Sequence, residues 1–309
     1  MAEEVMLYLN PQPDGIYVDC TVGDGGHAAA ICSRLTGKGF LIGMDRDNES
    51  LKRAEEKLSR VSSFAGHYRL FKEEFANIDR AVEEAGYEKV DGILLDLGIS
   101  SNQVDVGDRG FSFQQDGPLD MRMDDNDKYT AADILKTYSR EELTRIFREY
   151  GEEKWAARIA AFIIDYRKEK EIITTSQLVS IIQAAVPVGA RQKGKHPARR
   201  SFQALRIAVN RELEQLRVAL PLCLDLLTRG GVICVISYHS LEDRMVKQFL
   251  REKSEGCSCP PRLPQCVCGK VPEIELISRK GIKPALDEVR VNSRARSAIL
   301  RAGKKRQLN

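Results

Sequence analysis

The sequence predicts an α/β protein with a doubly wound, mostly parallel sheet and an all-helical insertion. Up to residue 95, short apolar runs alternate with helix-like stretches, which is typical of a parallel sheet covered by helices on both faces. From 105 to 200 the pattern contains helices and no convincing strand, and an apolar run at 231–236 then restores the sheet pattern. We therefore expect one sheet domain interrupted by a helical segment.

The composition is that of a globular protein, since 42% of the 309 residues are hydrophobic and 23 are glycine. This length suits two domains, or one large domain with an insertion. No apolar run reaches the roughly 18 residues of a membrane helix, and the acidic start at 1–4 lacks the positive charge of a secretory signal. We expect a cytoplasmic protein with reduced cysteines and no membrane partner.

Four strands and three helices are predicted in the first part of the chain. The strands are apolar runs of ordinary strand length, at 16–20, 39–44, 67–71 and 90–95. The helical stretches between them lie near 26–35, 47–60 and 75–85. Such strand–helix–strand units wind right-handed and build a parallel sheet.

The middle of the chain predicts a helical domain. The glycine-containing segment 107–124 is longer than a routine connection, and such segments are commonly functional. Ser139 and Glu142 have the spacing of a capping box, and another helix is expected at 174–185. Between these two helices a further one is expected, because five apolar residues share one helical face: Trp155, Ile159, Phe162, Ile163 and Tyr166.

The last part of the chain returns to the sheet. We predict a long helix at 198–227, a strand at 231–236, and last strands at 273–278 and 295–300, followed by a basic tail that frays. Ser240 and Asp243 are expected to cap the helix after the strand at 231–236. The predicted domains are thus 1–105 with 207–309 for the sheet, and 106–206 for the insertion.

The net charge of +3 conceals a segregation of charges. No Asp or Glu occurs from Ile172 to Arg211, or after Glu288, while basic residues are frequent in both stretches. Long acid-free basic stretches favour a polyanionic partner such as a nucleic acid.

The first predicted strand leads directly into a glycine-rich turn at 19–27. Glycines there let the backbone approach a ligand closely. Asp45 ends the second predicted strand, about 20 residues after the glycines, where a carboxylate accepts hydrogen bonds from the ribose of an adenosine. Together these features predict a Rossmann-like site for an adenosine cofactor.

Two cofactors compete for this turn. The segment 23–28 matches G-x-G-x-x-A, the fingerprint of nicotinamide dinucleotides. Asp19 before the glycines is instead typical of S-adenosylmethionine methyltransferases, whose first motif is Asp/Glu-x-Gly-x-Gly-x-Gly. Thr21 stands in place of the first glycine, which is tolerable where no positive φ is needed.

Six segments extend the comparison to nearly the whole chain. They are GDGGH at 23–27, MDRD at 44–47, GILLDLGISS at 92–101, GPLDMRMD at 117–124, RSFQALRIAVN at 200–210 and ISYHSLEDR at 236–244. With them the sequence resembles the bacterial 16S ribosomal RNA cytosine-N4 methyltransferases of the MraW type. That family has a class I methyltransferase sheet with an inserted helical domain, as the pattern of elements also predicts.

The resemblance implies a set of cofactor-binding residues. Gly25, Gly26 and His27 would hold the amino-acid end of S-adenosylmethionine, Asp45 the ribose and Phe75 the adenine. Asp96 and Gln103, at and beyond the end of the fourth strand, would complete the site.

The reaction requires a weakly nucleophilic cytosine amine to be oriented and activated, because its lone pair is delocalised into the ring. Acceptors on the amine hydrogens would supply this. Asp96 and the segment Ser237, Tyr238 and His239 follow strands, where open α/β sheets bind ligands, and are the candidate catalytic residues. An extruded cytosine also requires a stacking ring, for which Tyr238, Phe111 and Phe113 are candidates.

The helix near 200 suggests a path for the RNA backbone. Besides its apolar stripe it presents a polar face without acids, composed of Arg199, Gln203, Arg206 and Asn210, and Arg200 is a further candidate for RNA contact. With the basic residues upstream of it, this face suits phosphate contacts. We therefore assign substrate RNA recognition to the insertion.

Four of the eight cysteines are clustered, namely Cys257, Cys259, Cys266 and Cys268. The spacing is C-x-C, whereas zinc sites usually have C-x₂-C, so an unmetallated loop or a disulfide is favoured over structural zinc. Cys20, Cys32, Cys223 and Cys234 lie in apolar stretches and are expected in the core.

The sequence therefore predicts a methyltransferase that converts a cytidine of 16S rRNA, in the small ribosomal subunit or an assembly intermediate, to N4-methylcytidine, with S-adenosylhomocysteine as second product. A nicotinamide-dependent oxidoreductase and a non-catalytic RNA-binding module remain alternatives at this point.

Overall fold

The structure, a computed structural model, describes residues 1–61, 66–100, 103, 107–191, 196–256, 259 and 268–307. Its backbone contacts divide the chain into two compact units. A sheet unit comprises Met1–Gly98 and Glu214–Asn309, and a helical unit comprises Ile99–Leu213. The helical unit is longer at both ends than the segment 106–206 expected from the sequence.

The sheet unit contains a seven-stranded sheet. Its strands are β1 Ile16–Asp19, β2 Phe40–Asp45, β3 His67–Lys72, β4 Val90–Asp96, β5 Leu227–Ser237, β6 Ile274–Leu276 and β7 Ile299–Lys305. Their order is β3-β2-β1-β4-β5-β7-β6. The first five strands pair in parallel, while β7 is antiparallel to both β5 and β6. The predicted α/β class with a mostly parallel sheet is confirmed.

Twelve α-helices occur among the described residues, besides short 3₁₀ turns. They are α1 Ala2–Leu9, α2 Gly26–Cys32, α3 Asn48–Leu58, α4 Ile78–Glu84, α5 Ala131–Thr137, α6 Arg140–Glu149, α7 Ala156–Tyr166, α8 Thr175–Ala185, α9 Arg199–Asn210, α10 Glu212–Leu226, α11 Ser240–Ser254 and α12 Leu286–Val291. Sequence analysis missed α1, which buries Val5, Met6 and Leu9.

Successive side chains of the central strands enter different apolar clusters, because side chains alternate between the two faces of a strand. One cluster contains Val18, Ile42, Ile93 and Val235 together with residues of α4, α10 and α11. The other contains Tyr17, Leu41, Leu94 and Cys234 together with residues of α1, α2 and α3. The four cysteines expected in the core are buried. No helix among the described residues has the length and apolarity needed to cross a bilayer.

Three details of the last part of the chain differ from the sequence-based expectation. The long helix is broken at Arg211, whose φ of 51° is left-handed and ends α9 before α10 begins. The cap of α11 is His239 with Glu242 rather than Ser240 with Asp243.

The third difference is the basic tail, which forms β7 instead of fraying. Its buried residues Leu300 and Ala302 alternate with Arg301, whose guanidinium donates to Asp243 at 2.7 and 3.2 Å. The Lys305 ammonium donates to the carbonyl oxygens of Leu224 and Leu227, each at 2.8 Å. These basic residues therefore make contacts within the protein.

The helical unit has its own apolar core, to which α5, α6, α7, α8 and α9 all contribute. The predicted capping box of Ser139 and Glu142 is confirmed at the start of α6. Within this unit Asn210 is fully buried. Its amide accepts a hydrogen bond from the Met123 N–H at 2.8 Å and donates to the Met121 carbonyl at 2.8 Å. Asn210 thereby holds a turn in which Met121 has a φ of 64°.

Replacing Asn210 by Ala should destabilise the helical unit by about 2–4 kcal/mol, because a buried N–H and a buried C=O lose their partner. The protein has one tryptophan, Trp155 in the helical unit, so urea unfolding followed by tryptophan fluorescence reports on that unit. Gln203→Ala, which removes a single bond to the Tyr150 carbonyl, is the matched control. Equal midpoints for the two variants would contradict the structural role of Asn210.

Candidate active site

The turn after β1 is shaped by glycines with left-handed backbone angles. Gly23 has a φ of 50° and Gly25 a φ of 75°. A Cβ on Gly25 would lie 3.0 Å from the Ala54 Cα, so a side chain there would be both strained and crowded. Thr21 is not among the residues with positive φ. Its substitution for the usual glycine therefore costs no backbone strain.

Asp45 connects this turn to the end of β2. Its carboxylate accepts the Gly23 N–H and the Asp47 N–H, both at 2.9 Å. Burial raises the pKa of Asp45 to about 6, although the two N–H groups act in the opposite direction. The carboxylate is thus fixed beside the glycine turn, as sequence analysis expected.

Asp96, at the end of β4, is the centre of a polar cluster in the sheet unit. Its backbone N–H donates to the Thr21 hydroxyl at 2.7 Å. The Tyr238 hydroxyl donates to one carboxylate oxygen at 3.0 Å, and the His27 Nε2 lies 3.5 Å from the other. The Asp96 side chain is 25% exposed, so part of the carboxylate faces outward.

Two buried polar atoms near this cluster lack a hydrogen-bond partner among the described residues: the Asp19 Oδ2 and the His27 Nδ1. Asp19 is 1% exposed, and burial raises its pKa to about 7. Burial lowers the pKa of His27. The hydrogen bond to Asp96 and the negative charges of Asp96 and Asp19 together raise it by more, so the net shift of the pKa is upward. The site thus combines three acids with one histidine.

The candidate catalytic residues at and just after the end of β5, Ser237, Tyr238 and His239, make different contacts. Tyr238 directs its hydroxyl to Asp96, and its ring lies against Gly98, where a Cβ would meet it at 3.3 Å. Proximity to the Asp96 carboxylate and burial both raise the Tyr238 pKa, with burial the larger cause. Ser237 is buried, and its hydroxyl has no partner among the described residues.

His239 is the N-cap residue of α11. Its Nδ1 accepts the Glu242 N–H at 3.3 Å, and the Glu242 carboxylate in turn accepts the N–H groups of Tyr238 and His239. Glu242, which sequence analysis did not select, therefore fixes the backbone that carries Tyr238.

The other two expected cofactor residues, Phe75 and Gln103, belong to different units of the chain. Phe75 begins a short 3₁₀ turn after β3 and packs against the core of the sheet unit. Gln103 belongs to the helical unit, where its side-chain oxygen accepts the Ser100 N–H at 3.0 Å.

The predicted RNA-contacting face of α9 is only partly available. Arg199 is exposed and Arg200 half-buried in its first turn. Arg206 instead pairs with Glu212 through two hydrogen bonds of 2.8 Å, and Gln203 donates to the Tyr150 carbonyl. The assignment of Asn210 to RNA contact is wrong, because its amide is fully buried and bonded to backbone groups.

Among the other candidates for stacking, Phe111 is a core residue of the helical unit, 7% exposed. Phe113 stacks on the His196 ring with centroids 4.8 Å apart. Of the clustered cysteines, Cys257 and Cys266 lie outside the described residues. The interpretation of that cluster therefore stays a prediction.

Asp45 and Asp96 were expected from the sequence, but the contribution of the Thr21 hydroxyl was not. The available signal was its hydroxyl at a motif position usually held by glycine. Glu212 was also missed, because it follows directly after the acid-free stretch that drew attention to Arg206.

The sheet, the glycine turn and the carboxylates at the strand ends define a class I S-adenosylmethionine-dependent methyltransferase. The sequence matches the MraW methylase family over residues 1–306, and the chain belongs to that family. This assignment removes the nicotinamide-dependent oxidoreductase from consideration.

Relatives cover nearly the whole chain. The ribosomal RNA small subunit methyltransferase H of Heliobacterium mobile is 49% identical over 306 residues, which is 99% of this chain and 97% of the relative. The protein of the same name from Pelobacter propionicus is 50% identical over 306 residues, with the same coverage. Among solved structures, an rRNA methylase from Streptococcus thermophilus has a TM-score of 0.42 at 11% identity, covering 99% of this chain and 94% of its own.

Cofactor affinity should depend on the ionisation of Asp45. An ionised carboxylate accepts hydrogen bonds from ribose hydroxyls, so affinity for S-adenosylhomocysteine should be full above the pKa of about 6 and fall by about tenfold per pH unit below it. Calorimetric titration between pH 5 and pH 8 measures this.

Asp45→Asn is the control for that profile. It should bind roughly tenfold to hundredfold more weakly at pH 8, because a charge-assisted hydrogen bond is lost, and its affinity should be flat below pH 6. A wild-type affinity that does not change between pH 7.5 and pH 5 would rule out contact between Asp45 and the ribose.

Proposed function

We propose that the protein transfers a methyl group from S-adenosylmethionine to the N4 amine of a cytidine in 16S rRNA of the small ribosomal subunit. The observation that carries this proposal is the Asp96 carboxylate, held at the end of β4 by Tyr238 and adjacent to His27 of the glycine turn. The names of the relatives, ribosomal RNA small subunit methyltransferase H, support the substrate class.

The residues of the glycine turn fit the methyl donor. Gly25 packs against Ala54 with no room for a Cβ, so this turn requires glycine there, and Gly25, Gly26 and His27 would hold the amino-acid end of the donor. Asp45 would accept hydrogen bonds from the ribose hydroxyls, and Phe75 would hold the adenine. The resemblance also implies cofactor binding by Gln103, which belongs to the helical unit. Bound there, S-adenosylmethionine supplies an electrophilic methyl group on a sulfonium.

Asp96 accepts a hydrogen bond from the cytosine amine and takes up its proton. As the bond from N4 to the methyl carbon forms and the bond from carbon to sulfur breaks, positive charge develops on N4. A carboxylate beside the nitrogen stabilises that charge and removes one amine proton, which leaves neutral N4-methylcytidine. The partial exposure of Asp96 leaves acceptor positions for the amine.

Tyr238 and Ser237 complete the catalytic group. The Tyr238 hydroxyl stays protonated, because its pKa is raised, and it orients Asp96 while the ring is available to stack on the extruded base. Ser237 offers a buried hydroxyl without a described partner. His239, which caps α11, acts by positioning this segment.

The helical unit recognises RNA through the start of α9. Arg199 is exposed and Arg200 half-buried, and neither forms an ion pair among the described residues, so these two arginines bind phosphates. Gln203 and Arg206 contribute less, because both already make internal hydrogen bonds. The partner is the small subunit or an assembly intermediate in the cytoplasm.

Transfer of labelled methyl to small subunits lacking their natural cytosine methylation tests the function directly. We expect nucleoside mass spectrometry to identify N4-methylcytidine, and Asp96→Asn to lower turnover by at least about a hundredfold. Cofactor binding without transfer to subunits or to free RNA would favour the non-catalytic RNA-binding module.

Reversing Arg199 and Arg200 to Glu should weaken binding of 16S rRNA and reduce the slope of log affinity against log salt by about two, since each arginine neutralises one phosphate. Filter binding at several salt concentrations measures both quantities. A matched control reverses Lys38 and Arg80 to Glu, two exposed residues of the sheet unit outside both acid-free stretches. An equal loss in the control would show that net charge alone is responsible.

A further inference from the structure

Asp96 is held by three residues that come from two segments distant from it in sequence. Thr21 contacts its backbone, His27 approaches one carboxylate oxygen, and Tyr238 binds the other. Tyr238 follows β5, whereas Thr21 and His27 both belong to the cofactor turn after β1. The turn that receives the methyl donor therefore also fixes the carboxylate.

The contact with Thr21 is specific to a hydroxyl. Its Oγ1 accepts the Asp96 N–H at 2.7 Å, a short distance for this kind of bond. β4 pairs with β1 only up to Leu94, opposite Asp19. The threonine side chain thus continues the attachment of β4 to β1 beyond the last backbone pair. A glycine at this position has no group that would do so.

The contact with His27 is electrostatic. The charged groups facing its imidazole are Asp96, Asp19 and the amino group of Met1. The two carboxylates outweigh burial and the Met1 amino group, so the imidazole binds its proton more tightly than usual. Its Nδ1 is buried and has no partner in the described residues, which leaves the Nε2 side facing Asp96 as its polar contact.

We propose that Thr21 and His27 are positioning residues for Asp96. Thr21 fixes the backbone of Asp96, and the Nε2 side of His27 holds one carboxylate oxygen, so that the remaining lone pairs face the substrate amine. This inference rests on the proposed role of Asp96 as acceptor of the amine proton. It assigns side-chain functions to two residues of a turn that otherwise binds the donor through its backbone.

The hydroxyl of Thr21 is tested by isosteric substitution. Thr21→Val should lower kcat roughly tenfold to hundredfold, because misplacement of a reacting group is costly, while affinity for S-adenosylhomocysteine changes by less than about threefold. Thr21→Ser keeps the hydroxyl and should restore most of kcat. Thr36→Val removes an exposed hydroxyl elsewhere in the sheet unit and controls for the substitution itself.

His27 has a readout that requires no turnover. The protein contains four histidines, so NMR can follow each imidazole, with His27→Gln identifying the signal. In Asp96→Asn the His27 pKa should fall by about one unit or more, since burial then lacks its main opposing contribution. Asp45→Asn, a neighbouring acid that does not face His27, should leave it nearly unchanged.

The outcomes separate this inference from the proposed function. If the wild type forms no N4-methylcytidine, the proposed function fails, and the NMR titration still tests the pairing of His27 with Asp96. If the wild type is active but Thr21→Val matches Thr21→Ser in kcat, or the His27 pKa does not respond to Asp96→Asn, the positioning roles are wrong.

Discussion

Parallel strand pairing at the centre of the sheet is the constraint on which the site depends. Because β1 pairs with β2 and β4, and β4 pairs with β5, the carboxyl ends of these four strands meet at one edge. Asp19, Asp45, Asp96 and Ser237 are the last residues of those strands. Groups far apart in sequence become neighbours without a long loop having to place any of them, and the apolar alternation that buries both faces of the sheet also fixes their register.

That edge concentrates negative charge under partial burial. Asp19 and Asp45 both have raised pKa values because burial disfavours their ionised forms. Backbone N–H groups of the glycine turn and the His27 imidazole offset part of this cost. A sulfonium donor carries a positive charge, and it would offset more. If the donor binds at this edge as proposed, the carboxylates of the edge would hold the charged sulfonium more tightly than the neutral thioether product.

The periodic features were predictable from the sequence, whereas the partners of polar side chains were not. Alternating apolar runs placed β1 to β5, and the same runs placed Asp45 and Asp96 at strand ends. The spacing of apolar residues in α9 separated its apolar face from its polar face. That spacing does not show whether the polar side chains are exposed to solvent or hydrogen-bonded to backbone groups of the protein. Asn210 and Arg206 were therefore assigned to RNA although one is buried and the other paired. The break at Arg211 was missed, and the last strand was expected at 295–300 whereas β7 spans Ile299–Lys305, because an arginine in left-handed conformation and a strand rich in basic residues both run against local preferences.

The position of the helical unit within the chain has a consequence for folding. β4 and β5 are neighbours in the sheet, with Val90 opposite Leu227, yet the whole helical unit is inserted between them in sequence. If the chain between β4 and β5 were flexible, bringing the two strands together would close a long loop, and the entropy cost would precede any gain from strand contacts. The helical unit has a separate core and mostly local helix contacts, so we expect it to fold early and shorten the effective loop. The central strand pair, and with it the edge that carries Asp96, would then assemble late, after its insertion is already structured.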